Sequence, residues 1–369
     1  MTNRAFMKRR IFIKTGLAGA VAGGVALAAP AVHAATKTRW KMTTSFPPGL
    51  PFYQSGPGSA EWIVSEIDKA TDGRLKIKLF AAGELVKWNG GFDAVTGGTV
   101  EANSAVAYYW SGKAPALQYF GTVPFGMTFQ GQNAWYYHGG GLELWNEIYN
   151  DFGVIGMPCG NSGVQMTGWF KKPVTGLADF KGLKMRTPGF AGEVMAELGV
   201  SVTNLPPGEL YTALDRGTID ALEWVAPALD FPMGFHQIAK YYYSGWQEPG
   251  AEVQFLVNQK TWNKLPEDLQ EILRVAMRTA AYDMYAKSTN DSADAWNRMQ
   301  KDYPEVTHKV FPPEVIEALR ETTHRLLEEE AEKDPLAREI ITSIREYLAG
   351  VRKWTNISDK AYLNSVADQ

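Results

Sequence analysis

Two runs of alternating side chains, residues 39–44 and 75–80, bracket a stretch, 59–72, in which Trp62, Ile63, Ile67 and Ala70 recur at helical spacing. A period that changes from two to 3.6 and back, with Thr71-Asp72-Gly73 as the helix stop, is the pattern of a β-α-β unit. Such a unit joins parallel strands through a helix that covers the sheet, so it commits this part of the chain to a layered α/β core. The alternation then continues along the chain. Helical stretches at 91–96 and 141–152 lead to a strand at 153–157. Strands at 164–170, at the run ending in Arg186, at 217–224 and at 252–257 are interleaved with helices at 190–198 and 210–215. One long helical pattern runs from 266 to 299, with Glu267 and Asp268 in its first turn, where acids suit the helix dipole. The expected fold class is therefore α/β in two lobes, with that helix long enough to run along both.

The boundary between lobes is expected near residue 160, where Pro158-Cys159-Gly160-Asn161-Ser162-Gly163 interrupts the pattern. Domain I is read as 36–160 with 251–300, and domain II as 161–250 with 301–334. Residues 335–369 form a C-terminal helical extension. Its stripe of Leu336, Ile340, Ile344, Leu348 and Val351 packs either on its own chain or on a second copy.

The first 34 residues read as an export signal rather than structure. Lys8-Arg9-Arg10 precedes a Gly/Ala-rich apolar segment and the small-residue site Val32-His33-Ala34, the pattern of a twin-arginine leader. The chain carries a formal charge of −3, and five of its bases (Arg4, Lys8, Arg9, Arg10, Lys14) lie in that leader, so the remainder stands at −8. So acidic a surface argues against nucleic acid as a partner. An anionic ligand would have to be held by a well-placed local cation. Cys159 is the one cysteine, which excludes an intrachain disulfide and paired-cysteine metal sites. No phosphate-binding loop, nucleophile elbow, HExxH or EF-hand pattern occurs, and no organic cofactor is expected.

What remains is a binding site. Arg186 closes the run Lys181-Gly-Leu-Lys-Met-Arg-Thr-Pro-Gly189. Its planar fork suits a ligand carboxylate or, equally, a salt bridge to a neighbouring acid. Glu223 is a surface acid, the partner of Arg186, or a ligand to a cation. A carboxylate beside an anion-binding arginine repels the anion unless a cation lies between them. Gln165 would face the same cleft if its strand neighbours the other two. The three adjacent aromatics Tyr108-Tyr109-Trp110 cannot all point into one interior, so at least one should line a groove.

Over nearly the whole chain after the leader, these residues resemble the DctP-like substrate-binding proteins of tripartite ATP-independent periplasmic (TRAP) transporters, most closely the 2-oxo-acid-binding branch. The resemblance rests on Gly163-Val-Gln165, Gly182-Leu-Lys-Met-Arg-Thr-Pro-Gly189, residues 214–224 ending in Asp220-Ala-Leu-Glu-Trp224, and Tyr241-Tyr-Tyr-Ser-Gly-Trp-Gln-Glu248. It implies a two-lobed periplasmic clamp, each lobe a mixed sheet flanked by helices, that delivers a small monocarboxylate such as pyruvate or lactate to TRAP permease subunits. It implies that Arg186 clasps the carboxylate and that Glu223 and the Trp224 carbonyl hold a bridging Na⁺ or Ca²⁺. Gln165 would contact the ligand and contribute to the cation site, and Glu248 would be a further cation ligand, although Gln247-Glu248-Pro249 departs from the branch pattern. Tyr109, Phe190 and Trp224 are expected around the ligand. A homodimer that swaps the C-terminal helix is also implied. The rival readings are an exported enzyme on organic acids with Glu223 as base, and a sensor that presents the ligand.

Overall fold

Eleven strands among the described residues, 37–54 and 56–366 of this computed structural model, gather into two sheets; the leader lies outside them. In chain order they are β1 (Thr38–Thr44), β2 (Leu75–Phe80), β3 (Ala102–Ala105), β4 (Val154–Asn161), β5 (Gly168–Phe170), β6 (Lys184–Arg186), β7 (Ser201–Thr203), β8 (Ala221–Leu222), β9 (Tyr241–Tyr243), β10 (Glu252–Asn258) and β11 (Thr307–Lys309). The first sheet has the order β2-β1-β3-β10-β4, and the second β11-β9-β5-β8-β6-β7. Both are mixed. In the first, β1 runs parallel to β2 and β3 while β10 is antiparallel to β3 and β4. In the second, β6 is parallel to β7 and β8, and β5 is antiparallel to β8 and β9.

The opening β-α-β unit forms as its periodicity requires. The side chain of Ser59 accepts from the Trp62 N–H and caps the helix Ala60–Ala70, whose Ile63 and Ile67 are buried and which packs on β2. The helix Glu267–Asp302 buries Leu269, Leu273, Met277, Ala281, Met284 and Met299 along its length. It packs on β4 of the first lobe and on the short helix Pro227–Asp230 of the second, so it does run along both. The helices Pro313–Lys333 and Pro335–Ile357 pack together, with Ile340, Ile341 and Ile344 turned inward.

The chain passes between the sheets three times, through residues 162–167 after β4, through 244–251 after β9 and through the helix Glu267–Asp302 between β10 and β11; the first two crossovers touch each other. The strand expected at 164–170 is shorter than its alternation suggests. Within 162–167 the backbone donors are spent on other elements: Ser162 N–H on the Ala251 carbonyl, Gln165 on Glu248, Met166 on Val225 and Thr167 on Tyr243. The crossovers pass so closely that a Cβ at Gly245 would stand 1.7 Å from the Gln165 carbonyl oxygen. Only glycine fits there.

Candidate functional site

The site is assembled where these crossovers meet the ends of β6 and β8. Arg186 is the last residue of β6, and its carbonyl accepts the Glu223 N–H at 2.9 Å. Its Nη1 donates to the Glu223 carbonyl at 2.7 Å and to Glu223 Oε2 at 3.1 Å, with both side chains almost fully buried. The two charges therefore meet directly. Of the readings open for Glu223, that of a surface acid is corrected and that of partner to Arg186 is met, because β6 and β8 are adjacent parallel strands and leave no gap between their ends.

That contact uses one corner of the guanidinium. Nε and Nη2 of Arg186 have no partner although the side chain is buried. They form one edge of the planar group, the edge that can meet both oxygens of a carboxylate. The guanidinium carbon lies 5.7 Å from the Trp224 ring centroid, a cation–π contact that holds the plane in place. Unpartnered donors inside a protein cost on the order of 1–3 kcal/mol each.

Arg186, Gln165, Tyr109 and Trp224 border one closed cavity, together with Phe46 and Phe52. The centre of a water-sized sphere has about 10 Å³ in which to move there. The cavity thus admits roughly one such sphere. Gln165 donates from Nε2 to Ser162 Oγ at 2.9 Å and keeps Oε1 unpartnered. Tyr109 packs edge-on against Trp88, Tyr108 and Phe46. Phe190 and Glu248 are not on this cavity. They line an adjoining one of the same size with Gln118 and Thr122, and the Tyr108 side chain separates the two. The aromatic triplet does supply cavity walls, through Tyr108 and Tyr109. Sequence reasoning missed Phe46, Phe52 and Ser162; Phe46 lies in a proline-rich loop with no period to read, and Phe52 in a helix of four residues, Pro51–Gln54, too short to show one.

Glu223 is held well above the usual carboxylate range by burial and by the nearby Glu248 carboxylate, against the pull of Arg186. Burial likewise pushes Glu248 up to about 8, opposed by Arg186 and by the Tyr108 hydroxyl. Glu223 Oε1, Glu248 Oε2 and Gln165 Oε1 are all buried without a hydrogen-bond partner. Unpartnered carboxylate and amide oxygens are the donor type of a hard cation such as Na⁺ or Ca²⁺ and suit no thiophilic metal, although of the three only Gln165 lines the Arg186 cavity itself. Among the described residues no group of three or more His, Cys, Asp or Glu side chains converges, so any ion here would depend on amide and carbonyl oxygens as well.

A third buried acid lies behind the site. Asp230 Oδ1 accepts from the Val225 N–H at 3.0 Å, while Oδ2 accepts from Trp169 Nε1 at 3.0 Å and from the Tyr242 hydroxyl at 2.8 Å. It ties down the segment that carries Glu223 and Trp224.

Comparison with known proteins gives this geometry a context. The sequence profile of the bacterial extracellular solute-binding proteins, family 7, matches residues 58–334. A monocarboxylate 2-oxoacid-binding periplasmic protein of Nostoc sp. is 41% identical over 327 residues, covering 88% of each chain. Two crystal structures of TRAP periplasmic solute-binding proteins, from Pseudoalteromonas atlantica with sodium and pyruvate and from Colwellia psychrerythraea with calcium and pyruvate, are each 49% identical to this chain. Each superposes with a TM-score of 0.85 over 89% of this chain and 99% of the other.

Proposed function

The chain belongs to family 7 of the bacterial extracellular solute-binding proteins, and on that premise we propose that it is a TRAP solute receptor for a small 2-oxo monocarboxylate of the pyruvate class, bound together with Na⁺ or Ca²⁺. The observation that carries the reading is the unpartnered Nε–Nη2 edge of buried Arg186, which faces no protein acceptor. A carboxylate placed on that edge satisfies two orphaned donors at once. Relatives with pyruvate and either ion support the ligand class.

Charge explains the need for the cation. Burial favours the protonated forms of Glu223 and Glu248 in the ion-free site; were both ionised beside Arg186 the site would carry −1, and a monocarboxylate would make it −2 in a buried setting, which is strongly unfavourable without a cation. Glu223 and Gln165, with the Trp224 carbonyl and Glu248, would hold the ion. Its role is to offset that charge and give the ligand's oxygens a hard partner. A 2-hydroxy acid such as lactate presents the same carboxylate and belongs to the same reading. Export by the twin-arginine leader to the periplasm, and delivery to membrane permease subunits, complete it. Trp354, Ile357, Tyr362 and Leu363 are exposed at the C-terminal end, and they suit contact with a second copy in a homodimer.

The test is calorimetric titration of pyruvate into protein dialysed free of both ions with chelator present, then with Na⁺ or Ca²⁺ restored. Binding should appear only on restoring an ion. Equal affinity in its absence removes the bridging cation from the account.

A further inference from the structure

Resting on that reading of the site, we infer that Phe52 sets the limit on ligand chain length, by closing the Arg186 cavity off from a much larger apolar pocket. Phe52 sits in the four-residue helix Pro51–Gln54 of the first lobe and is 6% exposed. Its ring stacks on Phe46 at 4.8 Å between centroids and meets the Trp224 indole of the second lobe edge-on at 5.9 Å. It is the one described residue that lines both the Arg186 cavity and an outer pocket walled by Pro51, Pro57, Leu229, Pro232 and Met284. In that outer pocket the centre of a water-sized sphere has about 320 Å³ against about 10 Å³ inside.

The carboxylate and the 2-oxo group are fixed at the charged end, so a longer ligand must send its tail elsewhere. One way out, past Tyr108, leads to a cavity as small as the first and lined by Gln118, Thr122 and Glu248. Burying methylenes against those unpartnered oxygens is unfavourable. The other way leads into the outer pocket, whose walls are mainly apolar and whose polar groups are already matched: Lys287 with Asp291, Ser288 Oγ with the Ser162 carbonyl, and Ser59 Oγ with the Trp62 N–H. The Phe52 ring stands in that second route. A straight aliphatic tail admitted there would gain about fourfold in affinity for each methylene it buries.

The experiment measures the affinity of the full chain, with its cation supplied, for pyruvate, 2-oxobutanoate, 2-oxopentanoate and 2-oxohexanoate. Wild type is compared with Phe52→Ala and with Phe52→Leu, which keeps an apolar group over Trp224 should the alanine variant fold poorly. Wild type should bind pyruvate best and weaken along the series. In Phe52→Ala the order should invert, with about a sixtyfold gain across three added methylenes relative to pyruvate; Phe52→Leu should fall between. The inference is overturned if both variants keep the wild-type order, or if wild type already binds 2-oxohexanoate as well as pyruvate. Failure of wild type to bind any 2-oxo acid instead overturns the reading on which it rests, and this inference with it.

Discussion

Two buried carboxylates seven residues apart on the second lobe have opposite fates. Beside Arg186, Glu223 spends one oxygen on the guanidinium and leaves the other with no partner. Behind the loop, Asp230 is met by three donors, from Val225, Trp169 and Tyr242. Both are about 1% exposed or less, so depth does not distinguish them. Saturation does. A buried acid whose oxygens are fully engaged holds structure, and one with an oxygen to spare, beside an arginine with two free donors, is waiting for a ligand.

The contrast can be broken by substitution. Asp230→Ala strands three donors at about 1–3 kcal/mol each, so the free protein should lose on the order of 4 kcal/mol of stability in a denaturant titration. Glu223→Gln keeps the shape while removing a like-charge neighbour of Glu248. It should leave the free protein's stability within about 1 kcal/mol of wild type, yet cost about 2–3 kcal/mol of cation-dependent pyruvate affinity. If the two variants exchange these profiles, the division between structural and ligand-facing acid is wrong.

Acidity sharpens the same comparison more gently. Burial raises Asp230 from 3.8 to about 7 despite its three donors. In the folded chain the carboxyl then keeps its proton through a window in which the unfolded chain has already released it. Stability from this group is full below about pH 4, falls as pH rises towards 7, and levels off above. Asp230→Asn should remove that slope when denaturation midpoints are compared at pH 4.5, 6 and 7.5. A wild type that gains stability over this window relative to the variant would mean that the three donors outweigh burial. The smallest effect expected is at the first-lobe wall. Tyr109→Phe keeps the ring against Trp88 and Phe46 and should change pyruvate affinity by less than about 1 kcal/mol.

Much of the fold was legible because it is written in periodicity. The β-α-β opening, the helix Glu267–Asp302 and the strand that ends at Arg186 all follow from local pattern and stop signals. Arg186 and Glu223 could be named because each closes a patterned run after a turn. Their direct contact could be named only as one of several readings, since it depends on β6 and β8 becoming neighbours, a pairing that no local signal encodes. Val164–Phe170 misled for the related reason that an alternating run had its donors claimed by the second crossover, by Val225 after β8 and by β9. Phe46 and Phe52 were invisible because a loop and a four-residue helix carry no readable period, even where they supply a wall of the cavity.

The central claim is that the free edge of Arg186 takes up a carboxylate in two-point contact. Its most direct test is calorimetry of pyruvate, with cation present, on Arg186→Lys. Lysine keeps the charge and loses the fork, so the account predicts a loss of about 2–3 kcal/mol, thirty- to more than a hundredfold in Kd. An affinity within threefold of wild type would show that positive charge alone is enough and would contradict the account.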